Sequence, residues 1–112
     1  MKVFVVRYSV VLVTASSRRE AEKVALTLLK EKLAACVNIV PKIDSRYWWK
    51  GKIESAAESL LIIKTRRTGA RALMARIRKI HSYTVPEILF LPIEAGNPDY
   101  LRWIGQSLSE RN

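Results

Sequence analysis

At 112 residues, 49% of them hydrophobic, the chain is long enough for one domain with an ordinary core and too apolar to be a disordered tail. Its 20 Lys and Arg against 10 Asp and Glu leave a formal charge of +10, which draws anions wherever the excess is concentrated. One cysteine, Cys36, and one histidine, His81, exclude an internal disulfide and a clustered Cys/His zinc site. A lone thiol fits a reducing compartment, and a cytoplasmic location is expected.

The opening M-K-V-F-V-V-R looks faintly like a signal peptide, but Arg7 breaks the apolar run and a buried strand is the better reading. No apolar stretch reaches the ~18 residues of a membrane span. Tyr8 to Ala15 is mostly Val and Leu, the composition of a strand buried on both faces. Ser17 with Glu20 reads as a capping box for a helix within Arg18 to Leu33, whose stripe is Ala21, Val24, Ala25, Leu28 and Leu29. Ala34 to Ile43 reads as a second strand in which Pro41 marks an edge, a bulge or a bend.

That strand runs on into S-R-Y-W-W-K-G-K-I-E, Ser45 to Glu54, three adjacent aromatics before a Lys50-Gly51 turn. Side chains alternate along a strand, so Trp48 opposes Tyr47 and Trp49, and large rings on both faces call for a second surface to cover one of them. Taken as continuous, Ala35 to Trp49 would span about 50 Å at the usual rise. A domain of this size has a radius of gyration of only about 13 Å. The strand therefore bends near Pro41 or projects as an arm. Lys52 to Glu54 returns from the turn, Ser55 to Ser59 reads as a bulge or loop, and Leu60 to Thr65 continues as an apolar strand.

Thr68 is placed to cap a helix over Gly69 to Ile80 with an inner stripe of Leu73, Met74, Ile77 and Ile80. His81, Ser82 and Tyr83 form a loop, and Ile88 to Ile93 a fourth strand. Asn97 and Pro98 open a last helix with a Leu101, Ile104, Leu108 stripe. The order β-α-β-β-α-β-α is an α+β, ferredoxin-like split βαβ sandwich with a long β-hairpin arm and an added C-terminal helix. Both long helices fall on one face of the sheet, leaving the other to the last helix and a neighbouring subunit.

From Ser59 to Pro86 there is no acid but seven Lys and Arg: Lys64, Arg66, Arg67, Arg71, Arg76, Arg78 and Lys79. Such a block favours anions, although a solvated helix face is the plainer reading, and no nucleic-acid motif accompanies it. A Gly-rich phosphate loop, an H-E-x-x-H motif and a nucleophile elbow are all absent, and nothing spells a catalytic site. Cys36 and His81, with a carboxylate such as Glu87, are the right donor types for copper or another late divalent ion. They are too few for a closed site in one subunit, so a symmetric oligomer would have to multiply them.

Five stretches, K-L-A-A-C-V-N-I-V-P, Y-W-W-K-G-K-I-E, L-I-I-K-T-R, H-S-Y-T-V-P-E-I and G-N-P-D-Y-L-R-W-I, come in order from Lys32 to Ile104. With them the chain resembles the CutA family, the divalent-cation tolerance proteins, over about Val10 to Leu108. The resemblance implies a ferredoxin-like subunit in a homotrimer whose long strands pair across subunits, and a non-enzymatic role in divalent-ion tolerance, with copper binding in some members. It also implies a likeness to PII signalling trimers, which hold small anionic effectors between subunits. Cys36, Tyr47, Trp49, Gly51, Lys52, Lys64, Thr65, His81, Tyr83, Pro86 and Glu87 match the family pattern. Of these, His81 and Cys36 are the expected metal ligands, and Tyr47, Trp49, Lys52, Lys64, Tyr83 and Glu87 the expected lining of an inter-subunit cleft. Ser82 departs from the usual H-P-Y, which would loosen the loop presenting His81. Val13 and Ile80 stand where some members have Cys and His, and the +10 charge departs from the acid-rich habit of the family.

Overall fold

The computed structural model describes residues 6–109, so the reading of the first residues as a strand lies outside the described part before residue 6. The elements are β1 (Tyr8–Ala15), α1 (Arg18–Lys30), β2 (Cys36–Trp49), β3 (Lys52–Arg66), α2 (Ala70–Ile80), β4 (Ile88–Pro92) and α3 (Pro98–Ser109). The strands form one antiparallel sheet in the order β2-β3-β1-β4, the ferredoxin-like arrangement with a seventh element appended.

The sheet has two unlike faces, set by strand alternation. Val11, Val13, Ala15, Leu61 and Ile63 point to the side that α1 and α2 cover, where they meet Val24, Leu28, Leu73 and Ile77 in the buried core. The intervening residues, from Tyr8 and Val10 to Ile62 and Lys64, point to the other side. There α3 covers only one end. Arg66 donates to the Gly105 carbonyl at 2.6 Å, and a Cβ at Gly105 would lie 3.0 Å from the Tyr8 hydroxyl oxygen. A side chain there would push the end of the Tyr8 ring aside. Leu89 and Leu91 remain 53% and 45% exposed on the same face. Among the described residues no helix is long and apolar enough to cross a membrane.

Pro41 is both an edge and a bulge residue. β2 is the outer strand, and its register against β3 shifts between Val40 (opposite Leu60) and Ile43 (opposite Glu58), so Pro41 and Lys42 together face one residue, Ser59. The Ser59 hydroxyl, itself buried, donates to the Pro41 carbonyl at 2.8 Å and ties the bulge down. The strand does not break there. β2 and β3 continue paired to Trp49 and Lys52 and project as an arm, which makes the molecule 47 × 40 × 22 Å with a radius of gyration of 15.2 Å. The turn at its tip has φ +50 at Lys50 and +76 at Gly51, the paired positive angles of a two-residue hairpin turn.

Several local expectations are corrected. Ser55 to Ser59 is not a loop but the middle of β3. Thr68 does not cap α2. The chain takes a 3-10 turn over Arg67–Gly69, and the helix opens at Gly69 without a side-chain cap. Met74, placed in the inner stripe, is 37% exposed. Helix α1 ends at Lys30 rather than Leu33 because Lys32 turns left-handed, at φ +59, while Leu33 N–H bonds back to the Leu28 carbonyl at 2.9 Å. The Asn97 cap is as expected, its side chain accepting from Asp99 N–H at 3.1 Å.

Candidate functional site

His81 sits where α2 ends, and it is buried. Its Nε2 lies 2.8 Å from the Thr14 carbonyl oxygen, which can only accept, so Nε2 carries the proton and donates. Nδ1 then accepts the Tyr83 backbone N–H at 3.0 Å. Both ring nitrogens are used within the subunit. For His81 to serve as the expected metal ligand, a metal at Nδ1 would have to displace the Tyr83 N–H, and one at Nε2 the proton bound for Thr14. The imidazole instead fastens the loop after α2 to the end of β1, with the Tyr83 ring 4.8 Å away.

Two carboxylates complete that fastening. The Tyr83 hydroxyl donates to Glu58 at 2.8 Å, and burial followed by this bond pushes the phenol's pKa up. Glu20 reaches back over the start of α1. It accepts from the Ser16 N–H and hydroxyl at 3.0 and 2.9 Å, while Glu20 N–H binds the Ser17 hydroxyl in the expected cap. It also accepts from both the N–H and the hydroxyl of Ser82, each at 2.9 Å. The departure at Ser82 therefore ties the loop to α1 instead of loosening it, through an N–H that a proline does not have.

Burial alone would raise the Glu20 carboxyl, but the bonds from Ser16 and Ser82 outweigh it and bring its pKa from 4.5 down to about 2. A carboxyl depressed in the folded state gives its full stabilisation above its unfolded value and loses it as pH falls through the folded value. Glu20→Gln is expected to remove one contribution to acid destabilisation between pH 4.5 and 2, read as a shallower fall of the denaturant midpoint over that window. An unchanged slope would contradict this role.

Cys36 stands at the other end of the sheet. It opens β2 opposite Lys64, which pairs with Val10, whereas His81 bonds Thr14 four residues further along β1. That is about 13 Å in the strand direction alone. The structure does not bring the two expected ligands together within one subunit. The half-buried thiol has around it the Asn38 side-chain oxygen at 3.9 Å and the Lys64 ammonium at 4.0 Å, and Lys64 also donates to Asn38. Tyr100 of α3 reaches the same corner, its pKa raised by burial and by the neighbouring Cys36. No group of three or more His, Cys, Asp or Glu suited to a metal occurs among the described residues. The donors of one subunit do not fit a closed metal site.

The expected cleft residues divide in the same way. Tyr47, Trp49 and Lys52 stand on the arm, Tyr83 and Glu87 flank the loop that leads into β4, and Lys64 lies with Cys36 at the opposite end. Glu58, the partner of Tyr83, is six residues from Lys64 along β3, about 20 Å. The sequence reading missed Glu20 as a loop anchor and Asn38 as the Lys64 partner. For Glu20 the capping pattern already placed a carboxylate at the right helix end.

A family profile described as CutA1 divalent ion tolerance protein matches residues 9–107. The chain is 45% identical over 101 residues to the divalent-cation tolerance protein CutA of Archaeoglobus fulgidus, covering 90% of this chain and 98% of that one. It is 48% identical over 101 residues to the chloroplastic Protein CutA 1 of Oryza sativa, covering 90% of this chain and 57% of the relative. The chain spans between half and two thirds of the plant, frog and mouse relatives it matches. Among solved structures, CutA1 from Oryza sativa superposes with a TM-score of 0.90 at 46% identity, over 97% of this chain and all of that one. A protein described as the periplasmic divalent cation tolerance protein CutA from Archaeoglobus fulgidus superposes with a TM-score of 0.89 at 43% identity, over 91% and 99%. With the family pattern running through every strand and helix of the fold, the chain belongs to the CutA1 divalent ion tolerance family.

Proposed function

We propose that this chain serves divalent-cation tolerance as the subunit of a homotrimer, binding copper or another divalent ion rather than catalysing a reaction. The assembly rests on one observation, the apolar surface that a single subunit leaves bare. Trp48 and Ile53, paired across the arm, are 73% and 65% exposed, and Leu89 and Leu91 stay open on the sheet face that α3 does not reach. Copies of the same chain are the partner that covers these surfaces, the arm of one lying along a neighbour. A reducing cytoplasm suits the free Cys36 thiol, whereas the relatives named above are described as chloroplastic and periplasmic.

In this reading Cys36 supplies the soft donor toward the ion. The remaining donors come from a second copy, and His81 joins only by giving up its bond to Tyr83. Equilibrium dialysis with Cu(II) tests the assignment. Cys36→Ser is expected to weaken binding about tenfold or more, in the range seen when metal sites lose supporting groups, while His81→Ala changes it by less than about threefold. Equal affinity of Cys36→Ser and the unaltered protein would overturn the role of Cys36.

A further inference from the structure

The end of the molecule opposite the arm carries a groove of about 980 Å³. It lies where β1 begins, β3 ends and α2 opens. Its lining includes four arginines, Arg7, Arg66, Arg67 and Arg71, and no Asp or Glu. The backbone sets them there. Arg67 N–H bonds the Arg7 carbonyl at 2.9 Å, Arg66 is paired with Tyr8 across the sheet, and Arg71 follows in the first turn of α2. None of the four has an acidic partner within 4 Å among the described residues, whereas Arg18, Arg76 and Arg102 each do. Among the described residues only the Arg66 side chain is otherwise engaged, on the Gly105 carbonyl and the Ser109 hydroxyl of α3.

Arg7, Arg67 and Arg71, three like charges with no acidic partner round one concavity, repel one another unless an anion enters. We propose that this groove is a binding site for a small anion carrying two linked phosphates. The charge balance selects the ligand. A single phosphate group brings about −1.5 to −2, less than the three guanidinium groups not held by α3 can match, and a linked pair brings the rest. Guanidinium forks take phosphate oxygens two at a time, which a lysine cluster would not do. The volume is that of a small-molecule pocket, and Phe90 adds apolar surface to its lining. A nucleic-acid backbone is the less suitable occupant, because the arginines converge on one groove instead of following a track.

The test is calorimetric titration of the full chain with inorganic pyrophosphate, and separately with adenosine diphosphate, at about 150 mM salt, where long-range attraction is screened. Arg67→Gln with Arg71→Gln removes two groove charges and leaves Arg66 on α3. Arg19→Gln with Arg78→Gln removes the same charge from exposed helix positions outside the groove. The groove variant is expected to lose about tenfold or more in affinity for pyrophosphate and the control less than about twofold, with both keeping the unaltered midpoint of unfolding. Equal affinity for pyrophosphate and adenosine diphosphate assigns the site to the linked phosphates alone. Tighter binding of the nucleotide assigns it to an organic diphosphate. The proposal is overturned if neither probe saturates, if both variants lose affinity equally, or if only a DNA oligonucleotide binds.

Discussion

His81→Ala is expected to destabilise the fold by about 2–4 kcal/mol, read as a fall in the denaturant midpoint. Two effects add. The variant leaves the buried end of β1 and the Tyr83 N–H without the partners they have at 2.8 and 3.0 Å, and it opens a ring-sized space beside Tyr83. Asparagine offers one donor and one acceptor on a shorter side chain, so His81→Asn should recover part of the loss. A metal ligand with no structural duty would behave differently, its removal costing metal affinity and little stability of the metal-free protein. A midpoint within the error of the unaltered protein would show that the two hydrogen bonds contribute nothing, and would return His81 to the metal site.

The second large effect concerns the arm. Trp48→Asp is expected to convert the assembly to a folded single chain. Trp48 is 73% exposed in the subunit and its cross-strand neighbour Ile53 65%, so a charge there meets no buried surface while the chain is alone. Between copies the same carboxylate would be driven into an apolar contact, and burying an unpaired charge is among the most costly changes available to an interface. Circular dichroism should therefore be preserved while the mass falls to one third. Loss of the helical signal together with the mass would mean that the residue supports the subunit itself.

How far these features are legible in the sequence depends on how local their causes are. The α1 stripe, the Asn97 cap and the Lys50-Gly51 turn each rest on neighbouring residues, and each stands as read. Pro41 announced an edge or a bulge because a missing N–H has few places in a sheet. Ser55 to Ser59 misled because the arm lies beyond the core. With only Ser59 buried there is little to impose alternation, and its Ser, Ala and Glu carry loop-like composition while pairing as strand. Thr68 misled in another way, since a 3-10 turn intervenes between it and the helix.

The site was least legible where partners are distant. Thr14 and His81 are 67 residues apart, and the acceptor is a backbone carbonyl that no side-chain pattern marks. Ser82 and Glu20 are 62 apart, so the serine read as a weakness at a proline position until the carboxylate that holds it was located. The basic block from Lys64 to Lys79 was visible, but not that Arg7 joins three of its arginines while Arg76 turns away to Glu31. Composition gave the charge of this surface. Only the fold sorts it into a groove and a solvated face.

The proposed function rests on self-assembly, for which the bare arm, the uncovered sheet face and the incomplete donor set of one subunit all argue. Light scattering on the unaltered protein at the exit of a sizing column measures this directly. A mass three times the 12.8 kDa of the chain is the predicted result, and a stable species at 12.8 kDa would contradict it.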